Sequence, residues 1–180
     1  MISMLKITLQ NVVDIDYDKA LEAIRDFINE YVEETGIRKF VMGLSGGVDS
    51  ATLLAVLVHS VGKDNVTAIL MPDERVVNKR DVEDALNLVE MFHVKYLYIP
   101  LNTILDAFKI MPFYQEGSNL ARGNLATRIR MSILYYYANT YNYLVAGSSD
   151  RSELLIGYYT KYGDSAADIL PLGSLYKTQV

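Results

Sequence analysis

Lys39-Phe40-Val41-Met42-Gly43-Leu44-Ser45-Gly46-Gly47-Val48-Asp49-Ser50 is an apolar run that stops at two glycines and restarts with a helical pattern. It reads as strand, tight turn and helix. Such a turn leaves the first N–H groups of the helix without intrahelical partners and points them, with the positive end of the helix dipole, into one small volume. That volume suits a phosphate. Ser45 and Ser50 add hydroxyl donors, and Asp49 offers a carboxylate to a divalent cation that accompanies polyphosphate.

Two common glycine loops do not match. The P-loop requires a lysine after its glycines, and the dinucleotide fingerprint requires a spacing that Gly43, Gly46 and Gly47 lack. A purely structural reading stays open for a bare Gly-Gly turn, in which the glycines only supply backbone angles and Asp49 and Ser50 are ordinary first-turn residues. The complete Ser-Gly-Gly-Val-Asp-Ser string is more specific. It resembles the loop of the ATP pyrophosphatases, which cut ATP between the α- and β-phosphates.

The chain has 180 residues, 51% of them hydrophobic, which favours one domain (1–180) with a sizeable core. A formal charge of −5 argues against general binding to nucleic acids or membrane surfaces, both polyanionic. With no cysteine, disulfides, zinc–thiolate sites and thiol nucleophiles are excluded within these residues. Neither a leader-like start nor a membrane-spanning run is evident, so a cytoplasmic location is expected.

Around the glycine turn the chain alternates strands and helices. Ala20, Leu21, Ile24, Phe27, Ile28 and Tyr31 recur at helical spacing between Asp16 and Thr35, marking an amphipathic helix that Gly36 stops. A nearly all-apolar helix is expected from about Val48 to Ser60, a strand over Asn65–Met71, a helix over Lys79–Phe92 and a strand over Lys95–Ile99. A short helix around Thr103–Lys109 precedes a polar loop, Phe113–Asn119. Then come a long helix over Asn124–Tyr141 and a fourth strand, Tyr143–Gly147. This rhythm implies an α/β fold, a parallel sheet with helices on both faces, whose ligands sit beyond the carboxyl ends of the strands. The polar run Ser148-Ser149-Asp150-Arg151-Ser152-Glu153 falls at one such end. Leu175–Val180 looks like the opening of another helix.

Three further elements follow in order: Glu153, the run Gly157-Tyr158-Tyr159-Thr160-Lys161-Tyr162-Gly163-Asp164, and Asp168 with Pro171 and Lys177. With Arg122-Gly123-Asn124-Leu125-Ala126-Thr127-Arg128-Ile129-Arg130-Met131 and the glycine turn, they resemble the ammonia-dependent NAD synthetases, from the N-terminal helix to the last residue. The resemblance implies a Rossmann-like, adenine nucleotide alpha hydrolase-like three-layer sandwich. It implies that Gly43, Leu44, Ser45, Gly46, Gly47, Val48, Asp49 and Ser50 hold ATP with Ser148 and Lys177, and that Asp49 and Glu153 bind Mg²⁺. Arg128, Lys161 and Asp168 match positions for deamido-NAD, and Asp168 and Lys177 are the residues expected to assist the chemistry.

The activity so implied is that of a ligase of NAD biosynthesis. The acid of deamido-NAD attacks ATP to give an acyl adenylate and pyrophosphate, and ammonia then displaces AMP. Family members are homodimers, which makes the long helix with Tyr135, Tyr136 and Tyr137 the candidate contact, and they extend beyond the point where this chain stops. Two alternatives are another ATP pyrophosphatase, such as the ATP-cleaving part of a GMP synthetase, and a module that binds ATP without cleaving it. The pairing of Asp49 with Glu153 argues against the second, since a pure binder has no need of two metal carboxylates.

Overall fold

The computed structural model describes residues 14–180. The leader pattern sought at the start of the chain lies outside the described residues. Helix α1, Tyr17–Thr35, is capped by Asp16, whose carboxylate accepts from the Lys19 amide at 3.2 Å, and ends at Gly36 with φ 68°. Strand β1 is Phe40–Gly43, helix α2 Val48–Val61, strand β2 Val66–Leu70, helix α3 Lys79–Phe92 and strand β3 Lys95–Tyr98. Helix α4, Asn102–Ala107, continues into a 3₁₀ turn, Phe108–Ile110; α5 is Asn119–Tyr141, β4 Leu144–Val145 and α6 Arg151–Ile156.

The four strands are parallel in the order β3-β2-β1-β4. Alternation along the strands builds two cores. Phe40, Met42, Ala68 and Leu70 pack on one face with Ile24 and Ile28 of α1, Leu53 and Leu57 of α2, and Ala85 and Val89 of α3. Val41, Ile69 and Val145 point the other way, onto Leu105 of α4 and Ala126, Ile129 and Ala138 of α5. The result is the expected three-layer α/β sandwich.

Strand order also sets the site. From β1 the chain moves outward to β2 and β3, then returns to place β4 on the opposite side of β1. The order reverses between β1 and β4, and at such a switch point the loops leaving two neighbouring strands part in opposite directions and open a crevice. The glycine turn leaves β1 there, and Ser148–Glu153 leaves β4.

Four expectations change. The fourth strand has only two ladder residues, because beyond them the backbone turns to a different neighbour: the Gly147 amide donates to the Ile169 carbonyl at 3.0 Å, and the Asp168 amide to that of Val145 at 2.9 Å. The long helix starts at Asn119 rather than Asn124 and absorbs Gly123, where a methyl group would meet nothing within 4 Å. Glycine costs only about 1 kcal/mol in a helix interior, and the Arg122 guanidinium, paired with buried Asp73, anchors that first turn. The third strand ends at Tyr98. Residues 176–180 form a turn tied by the Gln179 side chain, which accepts from the Tyr176 amide at 2.8 Å, rather than a helix already established at Leu175.

The tyrosines of α5 divide. Tyr137 is buried between Tyr141 and Tyr143, Tyr135 is half-buried, and Tyr136 is exposed. Among the described residues no helix is long and apolar enough to cross a membrane.

Candidate active site

The turn between β1 and α2 is shaped by Gly46. Its φ is 86°, and a Cβ there would lie 2.0 Å from the Asp81 carbonyl oxygen, so only glycine permits this approach to α3. Gly47 caps α2 in an extended conformation without a side-chain bond, leaving the first amides of that helix free of a side-chain acceptor. The two serines brace the turn. Ser50 Oγ donates to the Gly47 carbonyl at 2.9 Å and accepts from the Ser45 amide at 3.3 Å, and the two hydroxyls lie 3.1 Å apart.

Beside this turn a carboxylate cluster gathers residues far apart in sequence. Lys177 Nζ pairs with Asp49 Oδ2 and lies 3.6 Å from Asp150 Oδ2. Asp150 is fully buried and forms a capping box with Glu153: its Oδ1 accepts from the Glu153 amide at 2.9 Å, and Glu153 Oε2 accepts from the Asp150 amide at 3.3 Å. Burial, with the charges of Asp150 and Asp49, holds the Glu153 carboxyl above the usual carboxylate range. Burial works against the Lys177 ammonium, but the bond to Asp49 and the surrounding negative charge win and raise its pKa.

Two buried oxygens in this cluster, Asp49 Oδ1 and Asp150 Oδ2, have no hydrogen-bond partner. Unsatisfied buried carboxylate oxygens are costly unless a cation completes them. Their hardness fits Mg²⁺, which takes few protein oxygens and fills its octahedron with phosphate and water; no group of three or more metal-ligating side chains forms among the described residues. The sequence reading did not single out Asp150. Its signal was an Asp-x-x-Glu spacing directly after a strand, legible as a cap but not as buried.

A cavity of about 380 Å³ opens next to the turn. Gly43, Leu44, Ser45 and Ser50 line one side, Gly147 and Ser148 another, and Arg130 and Asp164 are the charged residues in its wall. Gly147 allows the close approach of residues 167–170, since a Cβ there would sit 2.6 Å from Leu170 Cδ2.

The substrate candidates separate into two places. Arg128 Nε donates to the Lys161 carbonyl at 3.1 Å, bringing those two together on an exposed surface. Asp168 instead ties β4 to α5: its Oδ2 accepts from the Val145 amide at 2.7 Å, and its Oδ1 from the Tyr135 hydroxyl at 3.2 Å. Burial, with the Asp168 charge and this bond, pushes the Tyr135 phenol up to about 12. Lys177, expected at the ATP phosphates, rests on Asp49.

Residues 20–180 match the family model described as NAD synthase. The NH(3)-dependent NAD(+) synthetase of Staphylothermus marinus is 52% identical over 174 residues, 97% of this chain and 63% of that protein. The protein of the same name from Aeropyrum pernix is 49% identical over 178 residues, 97% and 62% respectively. The chain thus spans a little under two thirds of the length of these relatives. Among solved structures, the NH3-dependent NAD synthetase of Campylobacter jejuni superposes with a TM-score of 0.85 at 43% identity, covering 92% of this chain and 71% of that one. The NMN synthetase of Francisella tularensis does so with 0.84 at 34%, covering 92% and 68%. By the extent of the family match and the three-layer fold shared with these structures, this chain belongs to the NAD synthase family.

Proposed function

We propose that residues 1–180 act as one ATP pyrophosphatase-type domain that, with ammonia and Mg²⁺, amidates deamido-NAD to NAD, releasing AMP and pyrophosphate. The observation that carries this reading is the unpaired Oδ1 of Asp49, placed at the first turn of α2 beside a cavity at the switch point between β1 and β4.

In this reading the free amides at the start of α2 receive the β- and γ-phosphates. Asp49 and Glu153 hold Mg²⁺, which when bound offsets charge on the polyphosphate. The pyridine carboxylate oxygen attacks the α-phosphorus as the bond to pyrophosphate breaks, giving an acyl adenylate. Ammonia then attacks the acyl carbon, AMP departs with the bonding pair, and the nitrogen loses its extra proton. Lys177, which rests on Asp49, would contact the phosphates when ATP is bound. Arg128 and Lys161 present positive charge to the anionic dinucleotide. Asp168 keeps β4 and α5 in register at the acyl end, with spare lone pairs to orient ammonium. The exposed face of α5 around Tyr136 is the proposed contact of a homodimer, and the cytoplasm the proposed place of action.

A second reading rests on the Francisella likeness: nicotinate mononucleotide as the acid in place of the dinucleotide. Incubating the chain with ATP, Mg²⁺, ammonium and each acid, and assaying amide product with AMP, separates the two. Equal NAD and AMP from deamido-NAD is expected. Faster turnover of the mononucleotide would transfer the assignment to it, and ATP cleavage with neither acid would overturn both.

A further inference from the structure

The Arg128-Ile129-Arg130 run carries two arginines, and the reading above uses only the first. Thr127, Arg130, Met131 and Leu134 follow the i, i+3, i+4, i+7 spacing of one helix face, and all four line the cavity. Arg128 lies about 200° around α5 from Arg130 and is exposed. One arginine therefore faces the Lys161 segment and the other the cavity.

Arg130 Nε donates to the Met71 carbonyl, just past β2, at 3.0 Å. A guanidinium is planar, so one anchored nitrogen restrains the whole fork while its Nη groups keep their donors. Neither nearby carboxylate forms an ion pair with Arg130 among the described residues. Asp73 pairs with Arg75 and Arg122, and Asp164 Oδ1 accepts from the Thr160 amide at 2.7 Å. Arg130 has no ion pair among the described residues. Burial pulls its pKa below the ordinary value, against the partial support of the Asp73 and Asp164 charges. A desolvated guanidinium without a counter-ion is unfavourable and is relieved when an anion enters.

The lining of the cavity bears on where such an anion would fit. The glycine turn with its free helix amides occupies one side and suits the departing pyrophosphate. Leu70, Val77, Val82 and Ala85 contribute uncharged lining suited to a flat base. The phosphorus under attack lies between base and leaving group, and Arg130 is the only cation among the described residues that line the cavity. We propose that the Arg130 guanidinium binds the α-phosphate of the nucleotide and the negative charge that grows on it as the acid attacks. This rests on the ATP reading above and adds to it the group that grips the transferred adenylyl unit.

AMP and pyrophosphate divide the nucleotide at the bond in question, so they serve as probes. Wild type, Arg130→Gln and Arg130→Lys are titrated calorimetrically with AMP and, separately, with magnesium pyrophosphate, and their thermal unfolding is recorded. We expect Arg130→Gln to weaken AMP at least tenfold and pyrophosphate less than twofold, with Arg130→Lys intermediate for AMP because it keeps charge but loses the fork. AMP binding within twofold of wild type, or equal loss of both ligands, overturns the proposal. If Arg130→Gln does not unfold cooperatively, the Lys variant decides, with a three- to tenfold selective loss of AMP expected and no selectivity overturning it. Binding of neither probe by wild type overturns the ATP reading together with this one. Binding of both, with AMP intact in the variants, overturns the Arg130 assignment alone.

Discussion

Lys177 Nζ pairs with Asp49 Oδ2 across 128 positions of sequence, closing the last turn of the chain onto the first turn of α2. Asp150 faces the same ammonium from the end of β4, at 3.6 Å. One lysine thus compensates two carboxylates that follow the two strands flanking the switch point.

Asp49→Asn is expected to lower the Lys177 pKa, since the bond and charge that raise it are weakened. The rate of amine labelling at Lys177, followed by mass spectrometry between pH 8 and 10, should rise in the variant. Saturating Mg²⁺ with ATP should lower it in the wild type as Lys177 moves onto the phosphates; unchanged labelling in both experiments would place Lys177 elsewhere in solution.

Loss of either metal carboxylate should separate activity from folding. Asp49→Asn and Glu153→Gln are each expected to reduce AMP formation by about 100-fold or more, the scale of a lost electrostatic stabiliser, with little change in melting temperature. Turnover near that of wild type in either variant would contradict the metal assignment.

Arg128→Ala should weaken deamido-NAD much more than ATP, because Arg128 is exposed beside Lys161 and absent from the cavity lining. Separate KM measurements for the two substrates check this. Equal losses would remove Arg128 from the dinucleotide site.

Asp73 is 3% exposed and accepts from Arg75 and Arg122. Burial alone would raise its pKa, but the Arg75 bonds and the Arg122 charge outweigh it and hold the carboxyl below 3.8. A depressed carboxylate stabilises the fold fully above its unfolded pKa and loses that contribution as pH falls through the folded one. Asp73→Asn should therefore cost about 2 kcal/mol at pH 7, with the difference from wild type shrinking below pH 3.8 in urea melts. A difference independent of pH would mean that the charge contributes nothing.

Gly46→Ala should be severely destabilising for the turn, as the added methyl would meet the Asp81 carbonyl at 2.0 Å in a backbone conformation that disfavours side chains. A loss above about 2 kcal/mol is expected, beyond the effect of a compatible Gly→Ala exchange. Unfolding by denaturant measures it, and a stabilised variant would refute the turn geometry.

Local pattern carried much of this molecule. The apolar run Phe40–Gly43 before two glycines specified strand, turn and helix, and the period of Lys79–Phe92 marked α3 to the residue, because both are encoded in neighbouring side chains. The Ser-Gly-Gly-Val-Asp-Ser string and the runs around Arg128 and Lys161 were sufficient to name the family. The strand order, and with it the crevice between β1 and β4, depends on pairings between segments as far apart as Phe40 and Leu144. Asp150 stood in the sequence only as one of a polar run; only packing made it a buried, half-unsatisfied carboxylate. Arg128 and Arg130 look equivalent in sequence, and the helical twist sends one to solvent and the other into the cavity. Lys177 was expected at the ATP phosphates and the structure places it as the counter-charge of Asp49, because a charge finds its partner through the folded chain, and no local rule fixes where the chain will bring it.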